Sequence, residues 1–152
     1  MSPAAVEGAL LDTPAESLNG LARHADEHGR HLLIDVGAGH APRMAGKAVT
    51  VELGTPTRLP SRLILPLRWK ATGPAALFPT LDADLEVGML GPGSTQLSIS
   101  ASYDPPLGQV GELLDRVLLH RLAEGTVKDF LDRLGTSLQR RTQEPVGNGK
   151  VE

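Results

Sequence analysis

Few side chains in this sequence are equipped for chemistry, and those few lie far apart along the chain. Trp69 and Tyr103 bring the largest amphipathic rings, and His120 sits in a long helical pattern beside the apolar run Val117-Leu118-Leu119. A buried phenol or indole needs a partner for its polar end, although the simpler role of both rings is core bulk. His120 matters if it faces a cavity, while Arg121 beside it argues for an exit to solvent. His24 and His28 are four apart on an expected helix, with Asp26, Glu27 and His31 nearby, so they could share a metal ion. Spacing fixes no third ligand, and a solvated helix end whose dipole favours imidazolium accounts for them as well. The stretch Leu32-Leu33-Ile34-Asp35-Val36-Gly37-Ala38-Gly39 imitates the strand and glycine turn of a nucleotide-binding or methyltransferase fold. Such a turn works when it opens a helix, and Pro42 followed by a strand near Lys47 leaves no room for one. No serine sits in a G-x-S-x-G context. The absence of cysteine removes disulfides, thiol catalysis and thiolate metal sites. Neither a metal nor a cofactor is assigned.

The composition sets the frame for these residues. A chain of 152 residues is a single-domain length that can bury its own core. With 40% hydrophobic and 22% charged residues it reads as globular, and with aromatics at 3% the interior must be Leu, Val, Ile and Ala. A net charge of -3 gives no global electrostatic reason to expect nucleic acid or an acidic membrane. The first residues lack a basic run followed by an apolar core, and no stretch approaches the roughly 20 apolar residues of a membrane span. The simplest expectation is a soluble cytoplasmic protein without a transmembrane segment.

The elements that must position the candidate residues follow from periodicity. Ala4 to Leu11 reads as a short first strand with Val6, Gly8 and Leu10 on one side. Thr13-Pro14-Ala15-Glu16 has capping-box spacing with proline at the first helical position, predicting a helix from Pro14 to Gly29. Its inward stripe is Leu18, Leu21, Ala22 and Ala25, with Asn19, Arg23, Asp26 and Glu27 to water. Strands are expected at His31 to Val36, at Lys47 to Leu53, and at Arg62 to Lys70 with Leu63, Leu65, Leu67 and Trp69 on one face. Pro66 calls for an edge position or a bulge in the last of these. Leu81 to Met89 and Gln96 to Tyr103 read as an antiparallel hairpin around Gly91-Pro92-Gly93. Leu85, Val87, Ile99, Ala101 and Tyr103 fall on its inward parity. Strict alternation leaves one sheet face solvated and excludes a parallel sheet between helix layers.

The charges divide along the chain. Arg43 to Lys70 holds six basic residues and one acid, whereas Ala71 to Asp115 holds six acids and no Lys or Arg. Without aromatics interleaved among the basic residues, cross-strand pairing explains the division better than a nucleic-acid patch.

The last long segment, Asp104 to Arg141, reads as a helix that organises the rest. Val110, Leu114, Leu118, Leu122, Thr126, Phe130, Leu134 and Leu138 form a row spaced by four. That spacing drifts about 40° per step from the 3.6-residue repeat, so the row winds around the helix. Either the helix bends near Gly125 or its middle is buried on more than one side. Val117 to Ala123 is then the floor of a cavity or the seam of a dimer. Residues 1–141 form one domain, and 142–152 read as a flexible tail.

The order of strand, short helix, antiparallel strands and long C-terminal helix resembles the helix-grip fold of the START-like, polyketide cyclase and Bet v 1-like (SRPBCC) superfamily. The local match lies at Leu97 to Gly108, Leu113-Leu114-Asp115-Arg116 and Thr126-Val127-Lys128-Asp129-Phe130-Leu131. The resemblance implies an α+β fold whose curved antiparallel sheet, six to seven strands, wraps the long helix. It also implies an internal cavity for a hydrophobic or aromatic small molecule, lipid- or polyketide-like. On inward parity the lining would be Leu63, Leu65, Leu67, Trp69, Leu85, Val87, Ile99, Ala101 and Tyr103. An alternative is a cyclase- or aromatase-like enzyme in which Tyr103, His120 or Arg58 positions and protonates the substrate. A third is a ligand-free partner-binding or homodimeric structural protein. The family is functionally mixed, so its fold alone assigns no chemistry.

Overall fold

The computed structural model describes residues 1–35, 49–71, 80–103 and 116–143. In chain order these form helices α1 (Pro3–Leu11) and α2 (Ala15–Asp35), strands β1 (Val49–Leu53), β2 (Thr57–Leu59), β3 (Arg62–Ala71), β4 (Thr80–Gly91) and β5 (Ser94–Tyr103), and helix α3 (Arg116–Gln143). The protein is α+β, with one open antiparallel sheet and a C-terminal helix. The sheet order is β1-β3-β4-β5, and β2 also pairs with β3. Among the described residues no helix is long and apolar enough to cross a membrane.

Among the described residues five strands stand against the six counted in the sequence: the two expected at the N-terminal end are helical, and the short β2 is added. Ala4 to Leu11 is helical, not a strand. Ser2 caps α1, its hydroxyl accepting from the Ala5 N–H at 3.3 Å, and Pro3 is the first helical residue. Val6 and Leu10, one turn apart, are the buried positions, which a helix and a strand would both place on one side. The expected strand at His31 to Val36 is also helical through Asp35, because α2 continues past the buried Gly29. A mid-helix glycine costs about 1 kcal/mol, and packing of Leu32 against α3 favours continuing the helix.

The Thr13 hydroxyl makes no capping box. It donates to the Ala9 carbonyl at 2.7 Å and accepts from Arg141 at 3.0 Å, tying the α1–α2 junction to the end of α3. Two residues expected to face water are engaged instead. Asn19 accepts from the Val51 N–H at 2.7 Å, and Asp26, 1% exposed, pairs with Arg30 at 2.6 Å.

The sheet follows its alternation closely. Leu63, Leu65, Leu67, Trp69 and Ala71 of β3, with Leu81, Ala83, Leu85 and Val87 of β4, form the buried inner face. Val6 and Leu10 of α1, Leu18, Ala22 and Ala25 of α2, and Phe130, Leu134 and Leu138 of α3 cover that face. Trp69 meets Phe130 edge to face, with ring centroids 5.9 Å apart and planes at 68°. On the outer face the basic and acidic segments pair as cross-strand neighbours. Arg68 binds Asp82 at 2.6 Å, Lys70 binds Glu52 at 3.0 Å, and Arg62 reaches Glu86 at 3.5 Å. The hydrogen bond and charge of Asp82 hold the Arg68 guanidinium above its ordinary pKa.

Pro66 sits within a central strand, paired on one side with Asp84 in unbroken register. On the other side its carbonyl accepts from the Gly54 N–H at 2.8 Å, at the gap where β1 has ended and β2 has not begun. The N and O of an antiparallel residue point the same way, so the missing donor falls where no ladder bond is needed. This gap does for a central strand what an edge position would have done.

α3 shows no break at Gly125. A side chain added there would come within 2.9 Å of Leu32 Cδ1, so this glycine admits α2 to close packing. Val110 and Leu114 of the winding row lie outside the described residues, and the rest of the row meets two surfaces. Phe130, Leu134 and Leu138 join the sheet core, whereas Leu118 and Leu122, with Leu119 and Ala123 beside them, pack in a cluster with Leu32. The helix also includes Thr142 and Gln143, which the sequence suggested were tail.

Gly54→Ala should destabilise the protein by about 1–3 kcal/mol, as a lowered denaturation midpoint, because the new Cβ would lie 2.9 Å from the rigid Pro66 ring. Thr126 is fully buried, and among the described residues its hydroxyl has no hydrogen-bond partner. The near-isosteric Thr126→Val should therefore raise stability by about 1 kcal/mol.

Candidate functional site

The divided packing of α3 opens a groove beside β5. The C-terminal half of the helix lies close to the sheet, with Gly135 near Leu97, whereas the N-terminal half is drawn towards Leu32 of α2. A groove of about 340 Å³ lies between that half and the end of β5. Leu81, Ala123 and Val127 give it apolar walls, Ala101, Ser102 and Tyr103 come from β5, and His120 and Glu124 from α3. Tyr103 is half-buried and packs against both the sheet core and the Leu119–Leu122–Ala123 cluster, so its ring marks the junction of the two.

His120 Nε2 lies 3.2 Å from Glu124 Oε1, one helical turn on, and both side chains are about two-thirds exposed. Their exposure keeps them in contact with water while they flank an apolar wall. The groove thus brings a phenol, an imidazole and a carboxylate to one place. That set can hydrogen-bond and exchange protons with a polar group on an otherwise apolar molecule.

The expected lining residues divide. Leu63, Leu65, Leu67, Trp69, Leu85 and Val87 are 0–4% exposed and belong to the core beneath the helices. Ile99 is half-buried on the inner face of β5, while Ala101 and Tyr103 line the groove. Of the three residues considered for catalysis, Tyr103 and His120 meet there and Arg58 does not. Arg58 is paired with Glu7 of α1 at 2.6 Å. It stands across from Leu63, whereas Tyr103 lies across from Leu81 and, beyond it, Trp69. Six residues of strand separate these rows, roughly 20 Å at the usual rise. Within the helical floor expected at Val117 to Ala123, His120 and Ala123 line the groove while Val117 is 64% exposed.

Leu81, Glu124 and Val127 were not singled out from the sequence. Glu124 carried a readable signal, four residues beyond His120 on the same helical face. Leu81 and Val127 are ordinary inward positions and carried none.

A second, more open groove of about 600 Å³ crosses the outer face of the sheet, lined by Glu52, Gly54, Pro66, Arg68, Asp82, Asp84, Ser100 and Ser102 among others. The Arg68–Asp82 pair neutralises its centre. Among the described residues no three His, Asp or Glu side chains are grouped to hold a metal ion, and His24 instead lies 3.6 Å from Glu27. The glycines at 37 and 39 lie outside the described residues, and the helical state of 31–35 removes the strand that a nucleotide turn would follow. Comparison with family models, with curated proteins and with solved structures finds no match to this chain.

Proposed function

We propose that the chain binds a hydrophobic or aromatic small molecule, lipid- or polyketide-like, between the β5 end of the sheet and α3. The supporting observation is the groove itself. Leu81, Ala123 and Val127 supply apolar surface, Tyr103 adds an amphipathic ring, and the volume of about 340 Å³ suits a small ligand. The resemblance to helix-grip proteins supports the same reading, with α3 in the place of the gripped helix and the open antiparallel sheet in that of the hand. The proposed site is narrower than the full inward-facing set, because Leu63, Leu65, Leu67, Trp69, Leu85 and Val87 belong to the core.

Native mass spectrometry of freshly purified protein should reveal a co-purified apolar molecule, and an anthracene-bearing fatty acid should bind with a fluorescence rise. Ala101 is exposed, so Ala101→Trp should fill the groove without unfolding the protein and weaken probe binding by about tenfold or more. Unchanged affinity in the folded variant would remove the groove from consideration.

The convergence of Tyr103, His120 and Glu124 favours a second reading, a cyclase- or aromatase-like enzyme. His120, held by Glu124, would move a proton to or from a substrate carbonyl while the Tyr103 hydroxyl binds it. Turnover of a model poly-β-ketone thioester should then fall by about 10²–10⁴ in His120→Ala, with probe affinity retained. Equal turnover in the variant and the parent would leave binding alone.

A further inference from the structure

The two edges of the sheet are treated differently. At one edge β1 has five residues and β2 three, with a break between them at Gly54. Glu52 and Arg58 carry charge there, and Asn19 of α2 takes up the Val51 N–H. Short strands, a break, charge and a covering side chain are the usual devices that stop an edge from pairing with another chain.

Among the described residues the β5 edge shows none of them. It runs ten residues, Ser-Thr-Gln-Leu-Ser-Ile-Ser-Ala-Ser-Tyr, without a charge, a proline or a register shift, the only shift lying between Met89 and Gly91 of β4 before the turn. Among the described residues no strand pairs with its outer side. Such a strand presents a row of backbone donors and acceptors ready for another strand.

We propose that β5 pairs with β5 of a second copy of this chain, antiparallel about a two-fold axis at Ile99, joining two sheets into one. The sequence of the strand is self-complementary in that register. On the inner face Ile99 meets the partner's Ile99, Leu97 meets the partner's Ala101, and Thr95 meets the partner's Tyr103, a smaller side chain beside a larger one in each unlike pair. On the outer face Ser98 meets the partner's Ser100 and Gln96 meets the partner's Ser102, so every pair can hydrogen-bond. A charged edge would repel its own copy under a two-fold, and the uncharged β5 does not. The register keeps inner positions opposite inner positions, so neither core face is turned to water.

The chain contains no cysteine, so one introduced thiol reports a single contact. Size-exclusion chromatography with light scattering on the full chain should show a species of twice 16.1 kDa that dissociates on dilution. Directly opposed positions in an antiparallel pair have Cβ atoms about 4.5–5.5 Å apart, close to what a disulfide spans. Ile99→Cys should therefore cross-link most chains under mild oxidant, and Leu90→Cys, 69% exposed near the hairpin tip, should not. Ala101→Lys should raise the dimer dissociation constant about tenfold or more without changing the melting of the monomer. A monomer at every concentration overturns the proposal, as it would if another segment of the same chain occupied the edge. A dimer in which the thiol at position 99 cross-links no better than that at position 90 overturns it equally, because the contact then lies elsewhere.

Discussion

A row of side chains four residues apart cannot stay on one side of an α-helix, and α3 meets that constraint by serving two partners. Phe130, Leu134 and Leu138 seat one half on the sheet, while Leu119, Leu122 and Ala123 seat the other beside Leu32 of α2. A straight stripe would have laid the whole helix along β5 and closed the space between them. The winding row instead leaves an opening where Tyr103, His120 and Glu124 come together. The groove is thus a by-product of packing, positioned largely by residues that do not line it, such as Leu32, Phe130 and Leu134. Gly125 is central to the arrangement because its bare backbone admits Leu32 to the distance at which the second seat forms.

The sheet carries a comparable division of labour. Its inner face is almost wholly aliphatic and covered by α1, α2 and α3, and its outer face is wetted and laced with ion pairs between neighbouring strands. Exposed pairs of this sort contribute little to stability and more to register, since sliding β3 past β4 by one residue would separate Arg68 from Asp82 and turn Leu67 to water. The gap between β1 and β2 then accommodates a proline that the ladder of a central strand would otherwise reject. Gly54 and Pro66 work as a unit, one supplying a donor and the room, the other an acceptor and the ring that fills it.

Much of this was readable from the sequence wherever one residue's environment depends on its near neighbours. Alternation fixed the faces of β3, β4 and β5, and the segregation of charge pointed to the pairs on the outer face. The N-terminal helix was missed although Ser2-Pro3 offers the same chemistry as Thr13-Pro14, because Val6, Gly8 and Leu10 also satisfy a two-residue period. Asp26 was placed in water because sequence shows its charge but not what packs over it. The candidate site was legible only in part. Parity states that Leu65, Trp69 and Leu85 point inward, and it is silent on whether a helix or a space meets them there. Only the crossing of α3 decides that, and the crossing depends on the packing of Leu32 against the Leu119–Leu122–Ala123 cluster, far away in the chain.

Trp69 is the sole tryptophan and is buried edge-on against Phe130, under the half of α3 that grips the sheet. Its emission is therefore a built-in optical gauge of one seam, shifted to short wavelength while sheet and helix are joined and to long wavelength once they part. The groove lies a strand away, meeting that core through Leu81, the register neighbour of Trp69 on β4, and through Tyr103 and Val127. Intrinsic fluorescence will follow the melting of the core while an added fluorescent probe follows the groove, so unfolding and occupancy can be recorded as separate signals from one sample.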